Sequence, residues 1–376
     1  MKAVIYRKIA QDLRYEISQG NYRVGMQLPS EADLCQQYEV SRITAKHALD
    51  LLENEKIIRR VQGKGSIVQS IPGKAEPVHP APVKPTFIGL ILPDFTEYFG
   101  LEIVRVVEKT CAQNHLYCVL KRSEGSIDTE QAAIKELLAM GVSGFIIMPV
   151  NGEYYNPHII KLILDQFPVV VIDRQIKGFN AGFVGTDNIN ATKSAMKHLF
   201  ALGHRHIAWI SPPTLHTSSL EDRQRAFQDA FVDCHCLPDP ALFYPHIQST
   251  LPLKDTDQFR QVDINNLQTF FKAHPQLTAV FASEHLVARL IEDAASTSHL
   301  RIPDDFSLVF FDAPKSMAYS HKYTYIRQDE KLIAQTAVEQ LLQAMKPRAA
   351  DQRREPVFIP GSLIVGDSTA APPVHH

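Results

Sequence analysis

The sequence predicts two folds in tandem: an α+β head of three helices and a β-hairpin, then an α/β body of two doubly wound lobes. Three observations carry this expectation. Residues 4–54 repeat apolar side chains at helical spacing in three blocks, punctuated by Gly20, Ser30 and Ser41. Residues 71–86, IPGKAEPVHPAPVKPT, hold five prolines and little apolar material, which reads as an extended linker and a domain boundary. From 87 to 366, short apolar runs alternate with helical stretches, as parallel strands covered by helices do.

In the head, residues 1–70, Ile5, Ile9, Leu13 and Ile17 recur every four residues between Val4 and Gln19, making an amphipathic helix ended by Gly20. Ser30 is a natural N-cap with Asp33 at the capping-box position, and Leu34 and Tyr38 face inward. Ser41 caps a third helix whose buried stripe is Ala45, Ala48, Leu49 and Leu52. Only the short turn at Glu39–Val40 separates the second and third helices, which is helix-turn-helix spacing. RRVQGKGSIVQ, Arg59 to Gln69, follows. Its glycines stand too close together for a Walker loop, and SIVQ reads as strand, so the stretch is a hairpin turning at Gly63–Gly65. Three helices and a hairpin in seventy residues make a winged helix-turn-helix.

In the body, residues 87–366, FIGLIL, GFIIMP, PVVVID, HIAWI, LTAVFAS and FSLVFFD are continuous apolar runs, as strands buried on both faces should be. Helical stretches lie between them, and the length calls for two sheets rather than one. The small, Pro-containing tail, 367–376, is expected to be flexible.

Composition narrows the function. The 376 residues are 45% apolar and 21% charged, ordinary for a globular protein, and a net charge of −2 excludes a polycation. The balance is uneven: eleven Lys/Arg against eight Asp/Glu in 1–70, a net of +3, and 28 against 33 elsewhere, a net of −5. A mildly basic head on an acidic body suits a head that alone meets polyanions. Five cysteines at irregular spacing give no disulfide framework. DCHC at 233–236 has no second pair at zinc spacing, so neither metal nor cofactor is expected. The charged N-terminus carries no apolar signal core and no run of eighteen apolar residues occurs, which predicts a cytoplasmic protein without membrane contact.

The head resembles the GntR-type winged-helix domain over residues 1–70. The carrying residues are Leu28-Pro29-Ser30-Glu31, Val40-Ser41-Arg42-x-Thr44, Ala48-Leu49-x-x-Leu52 and Gly63-x-Gly65-Ser66. The resemblance implies that Arg42, Thr44 and Lys46 meet the major groove of a double-stranded DNA operator, and that Gln62, Gly63 and Lys64 approach the minor groove; Glu31 and Ser41 complete the DNA-binding set. The chemistry agrees. A helix N-terminus at Ser41 favours a phosphate, Arg42 suits bidentate contact with guanine, and Lys46 lies one turn later on the same face. Ala32 and Lys46 stand where many members carry Arg, so the operator sequence does not transfer.

The body resembles the LacI/GalR-type effector domain, itself similar to periplasmic sugar-binding proteins, over 87–366. The carrying residues include IGLILPDFTEYF, PVVVIDR, VGTDNINATKSAMKHLFALGHRHIAWI, EDRQRAFQDAF and RIPDDFSLVFFD. A head of one family on a body of the other is the architecture of arabinose-responsive repressors. The resemblance implies two Rossmann-like lobes joined by three crossovers, with a small-molecule effector, a carbohydrate, in the cleft at the carboxyl ends of the strands. Its positions here are Asp94, Phe99, Asp173, Arg174, Arg223, Glu284, Asp312 and Gln328. It also implies a homodimer. Several signatures depart: Glu284-His285 replaces Asn-Asp, Asp312-Ala313 a double Asp, Ala226 a glycine, and Pro212-Pro213 a glycine pair, leaving room for a ligand other than the common hexoses.

The expected function is a sequence-specific DNA-binding regulator, a repressor relieved by a sugar or sugar derivative. Ligand-dependent co-repression or activation stays open, as does a constitutive DNA binder with a vestigial sensor. No G-x-G-x-x-G follows a strand and no nucleophile elbow occurs, so an enzyme is not expected.

Overall fold

Ile9, Ala10, Leu13 and Ile17 line one side of α1 (Lys2–Ser18) and are buried against the second and third helices. Ile5, expected in that stripe, is exposed, and Tyr6 packs against the core at that end of the helix instead. α2 (Glu31–Tyr38) opens with a reciprocal cap in which Asp33 N–H donates to Ser30 Oγ and Ser30 N–H to Asp33 Oδ2. Glu39, left-handed at φ 51°, turns the chain into α3 (Arg42–Asn54), which buries Ala45, Ala48, Leu49 and Leu52. β1 (Ile58–Val61) and β2 (Gly65–Val68) pair antiparallel, Val61 opposite Gly65. Gly65 has φ +76°, and a Cβ there would sit 2.8 Å from Gln27 Nε2, so the wing requires glycine.

The structure, a computed structural model, describes residues 2–61, 64–71, 85–152, 154–250, 256–313, 321–346 and 355–373. The chain divides into two compact units, Met1–Lys84 and Pro85–His376. Most of the expected linker, 72–84, and the wing-tip residues Gln62 and Gly63 lie outside the described residues.

The second unit begins with β3 (Thr86–Leu92), α4 (Leu101–Gln113), β4 (Leu116–Arg122), α5 (Ile127–Ala139), β5 (Gly144–Ile147), α6 (Pro157–Leu164), β6 (Val169–Ile172) and β7 (Gly182–Thr186). These wind the first lobe. The chain crosses to a second lobe of α7 (Asn188–Leu202), β8 (Ile207–Ile210), α8 (Ser218–Asp233), β9 (Phe243–Tyr244), α9 (Thr256–Ala273), β10 (Ala279–Ala282), α10 (His285–Thr297), β11 (Ser307–Phe311) and β12 (Thr324–Arg327). It returns as α11 (Glu330–Ala344), packed on the first lobe beside α4, and adds β13 (Val357–Ile359) to that sheet. A third crossing places β14 (Ser362–Ile364) antiparallel to β12.

The sheets run β13-β7-β6-β5-β3-β4 and β14-β12-β11-β10-β8-β9, so the second repeats the order of the first. β5, β6, β8, β10 and β11 are buried throughout, which is why each reads as an unbroken apolar run. α8 ends at Asp233 with Cys234 as its C-cap, so DCHC is a helix end.

The tail departs from expectation. Leu308 N–H donates to Ser368 O (2.8 Å), Thr324 N–H to Ser368 Oγ (2.8 Å), and His204 Nε2 meets Ala370 O (2.8 Å). Small residues suggest disorder by composition, but here their size lets 367–373 lie against the starts of β11 and β12.

Candidate functional site

Two arrays of polar side chains stand out, one on each unit. On the head, Ser41 Oγ accepts from Thr44 N–H (3.4 Å) and lies 2.9 Å from Thr44 Oγ1, fixing the first turn of α3. Arg42 projects from that turn with its side chain 84% exposed and donates through Nε to Glu31 Oε2 (3.0 Å). Lys46 is exposed one turn on, as is Lys64 in the wing. Glu31 is thus a brace for Arg42. It also faces Arg60 (3.6 Å), whose guanidinium reaches Asp50 (2.6 Å), Glu53 (3.4 Å) and the Lys46 carbonyl (3.2 Å). Arg60 therefore fastens the wing to α2 and α3, while Arg42, Lys46 and Lys64 remain presented to solvent. Ile43, 71% exposed between Arg42 and Thr44, is an apolar member of this face outside the expected set.

On the body, all eight expected residues line one cleft, with about 880 Å³ of empty space. The loops after β3, β6, β10, β11 and β12 deliver Asp94, Phe99, Asp173, Arg174, Glu284, Asp312 and Gln328; Arg223 comes from α8. Ligand crevices of open α/β sheets lie at these carboxyl ends.

The interior of the cleft is charged. Arg223, 4% exposed, donates through Nε to Asn188 Oδ1 (2.7 Å) and through Nη1 to the Ser283 carbonyl (2.9 Å), with its guanidinium 3.6 Å from the centre of the Phe311 ring. Arg174 donates to the Pro149 carbonyl (2.7 Å), and its Nε stands 3.6 Å from Asp173. Gln328, at the β12–α11 crossover, donates to Asp312 Oδ2 (2.9 Å) and accepts from the Thr186 hydroxyl at the β7–α7 crossover. Desolvation pushes the Asp312 carboxyl up to about 7, against the pull of Arg223 and Gln328. It pushes Glu284 up to about 6, opposed by Arg223 and Arg174. Asp94 sits at the rim, paired with Arg122 (3.2 Å).

Several sealed polar atoms here have no hydrogen-bond partner among the described residues: Glu284 Oε1, both ring nitrogens of His285, Ser283 Oγ and Arg174 Nε. His285 is 4% exposed, and burial pushes it down to about 4, so its ring is neutral near pH 7. It packs on Tyr98 of the first lobe, ring centres 4.0 Å apart. Tyr98, His285 and Asn188 were not among the expected site residues; the Glu284-His285 departure is the signal that points to His285. Buried polar groups are nearly always paired, so such a cluster points to a polar ligand. Among the described residues no group of three or more His, Cys, Asp or Glu could hold a metal, and no helix is long and apolar enough to cross a membrane.

A winged helix-turn-helix and a two-lobed binding cleft on one chain define a ligand-responsive transcriptional regulator. Residues 5–68 match the family described as bacterial regulatory proteins, gntR family, and residues 196–369 match a periplasmic binding protein-like domain. The head is thus similar to those of the gntR family and the body to periplasmic binding protein-like domains. Arabinose metabolism transcriptional repressors of Halalkalibacterium halodurans and Geobacillus stearothermophilus are 25% and 26% identical to it, over 97% of this chain and 96% and 97% of their own lengths. The solved structure of transcription regulator CcpA of Lactococcus lactis is similar in fold, at TM-score 0.64 and 20% identity, covering 76% of this chain and 100% of that one.

Proposed function

We propose that this protein is a repressor whose head grips an operator and whose body loosens that grip on binding a sugar or sugar derivative. The observation that carries it is the convergence of residues 94 to 328 on one cleft lined by two guanidiniums and four carboxylates, with several polar atoms unpartnered among the described residues. Vicinal hydroxyls need planar donors and acceptors, and Phe99 offers an apolar face for C–H groups. The names of the full-length relatives, arabinose metabolism repressors, support a carbohydrate.

In this reading Arg42 reads a base edge, Ser41, Thr44 and Lys46 hold the flanking backbone, Gln62, Gly63 and Lys64 approach the minor groove, and Glu31 orients Arg42. One head makes few base contacts, so the working unit is a homodimer on a two-fold operator. The protein acts in the cytoplasm by binding rather than catalysis. Ligand closes the lobes and shifts the population toward a form with weaker DNA affinity, which requires differential affinity for the two states.

The test is operator binding by the purified full chain on its own promoter DNA, with and without pentoses, hexoses, amino sugars, uronates and sugar phosphates. A specific ligand at about 100 times its dissociation constant adds about 2.7 kcal/mol of stability. A ligand that stabilises the body and weakens operator binding supports the proposal. A panel in which nothing does either overturns it.

A further inference from the structure

Among the described residues, the carboxylates that line the cleft outnumber the guanidiniums. Asp173, Glu284 and Asp312 face Arg174 and Arg223, three carboxylates to two guanidiniums, while Asp94 at the rim is matched by Arg122. The guanidiniums are already engaged: Arg223 with Asn188 and the Ser283 carbonyl, Arg174 with the Pro149 carbonyl and beside Asp173. Asp312 accepts from Gln328. Glu284 feels both guanidiniums without a close ion pair to either. It holds the N-cap position of α10 without bonding that helix's N–H groups, and its Oε1 is sealed from solvent with no partner among the described residues. Beside it, His285 lines the same pocket, and both its ring nitrogens lack a hydrogen-bond partner among the described residues.

From this juxtaposition we infer that the effector is an amino sugar whose ammonium pairs with Glu284 while its hydroxyls meet the guanidiniums, Gln328 and His285. This rests on the sugar-responsive reading above and names the ligand class within it. An ammonium would form a charge-assisted hydrogen bond with the Glu284 carboxylate, stronger than the bond a neutral hydroxyl donates. α10 starts without a side-chain cap, and a helix N-terminus favours ligand oxygens, which an amino sugar also carries. A uronate would add a further carboxylate to those lining the cleft and is disfavoured.

The experiment is calorimetry on the full-length chain with matched pairs: glucosamine and glucose, galactosamine and galactose, mannosamine and mannose, with arabinose, glucuronate and galacturonate alongside. In at least one pair the amine binds about tenfold or more tighter than its parent sugar. Glu284→Gln, checked for a native melting transition, reduces that preference to about twofold or less by removing the ion pair. A neutral sugar or uronate that binds tighter than every amine overturns this inference and leaves the sugar-responsive reading standing. An amine preference that survives Glu284→Gln removes Glu284 from the role. Absence of binding by every sugar in this set overturns the inference, and the sugar-responsive reading falls with it only if sugar phosphates fail as well.

Discussion

Asp173 and Asp312 occupy equivalent points of the two lobes in the same left-handed backbone conformation, φ 61° and 64°. Each follows the third strand from one edge of its sheet, β6 and β11, and each N–H donates to the neighbouring strand, Asp173 to Val184 O (3.1 Å) and Asp312 to Ile326 O (2.9 Å). That conformation is costly for a residue with a Cβ and clusters at functional sites. Both side chains enter the cleft. The prediction is a trade: Asp173→Gly relieves about 1 kcal/mol of backbone strain, so the melting temperature holds or rises while ligand affinity falls. A variant that loses stability and keeps affinity contradicts it.

The Asp312 carboxyl, held at about 7 in the folded protein, binds its proton more tightly than in the unfolded chain, where its ordinary value is 3.8. Its contribution to stability is therefore full below pH 3.8 and is lost as pH rises through 7. Glu284, at about 6, acts in the same direction. His285, pushed down to about 4, acts oppositely: its contribution is present above pH 6.5 and lost as pH falls through 4. Urea titrations of wild type and Asp312→Asn from pH 8 to 5 check the sign. The variant gains less stability on acidification than wild type.

Arg223 is buried against three carboxylates and stacked on Phe311, so its loss leaves uncompensated charge in the cleft. Arg223→Ala is expected to destabilise the body by about 3–5 kcal/mol and to abolish ligand binding, with Arg223→Lys unable to restore the paired contacts to Asn188 and Ser283. Denaturant unfolding and calorimetry measure both.

On the head, Arg42 and Arg60 separate readout from stability. Arg42→Ala costs about 1–3 kcal/mol of operator affinity, and Lys64→Ala lowers the salt slope by about one. Arg60→Ala acts through folding, because it breaks the links to Asp50, Glu53 and Glu31. Gel-shift titration at several salt concentrations, with thermal melts of each variant, distinguishes the two.

Removing residues 368–376 is expected to lower the stability of the body by about 1–3 kcal/mol, since the backbone N–H groups of Leu308 and Thr324 lose their partners. An unchanged melting temperature contradicts this.

Most of the head was legible from the sequence, because its determinants are local. The Ser30–Asp33 cap, the Ser41 cap and the Ala45–Leu52 stripe each depend on residues within one or two helical turns. Strand and helix order in the body was legible for the same reason: fully buried strands leave unbroken apolar runs between amphipathic helices. The membership of the cleft came through the family resemblance rather than from periodicity, since Asp94 and Gln328 share no local signal.

What only the tertiary structure decided is pairing. The composition of residues 367–373 says flexible, yet Ser368 is buried between two strands that lie over forty positions earlier. The helix period places Ile5 inside, yet it is 42% exposed. The sequence lists Arg42 and Arg60 as equivalent basic residues; packing makes one a presented side chain and the other a clamp. Glu284 is likewise one carboxylate among many until the fold seals its Oε1 beside partners already taken. Secondary structure follows from neighbours along the chain, but burial, charge balance and unmet hydrogen bonds depend on residues that meet only when the lobes are built.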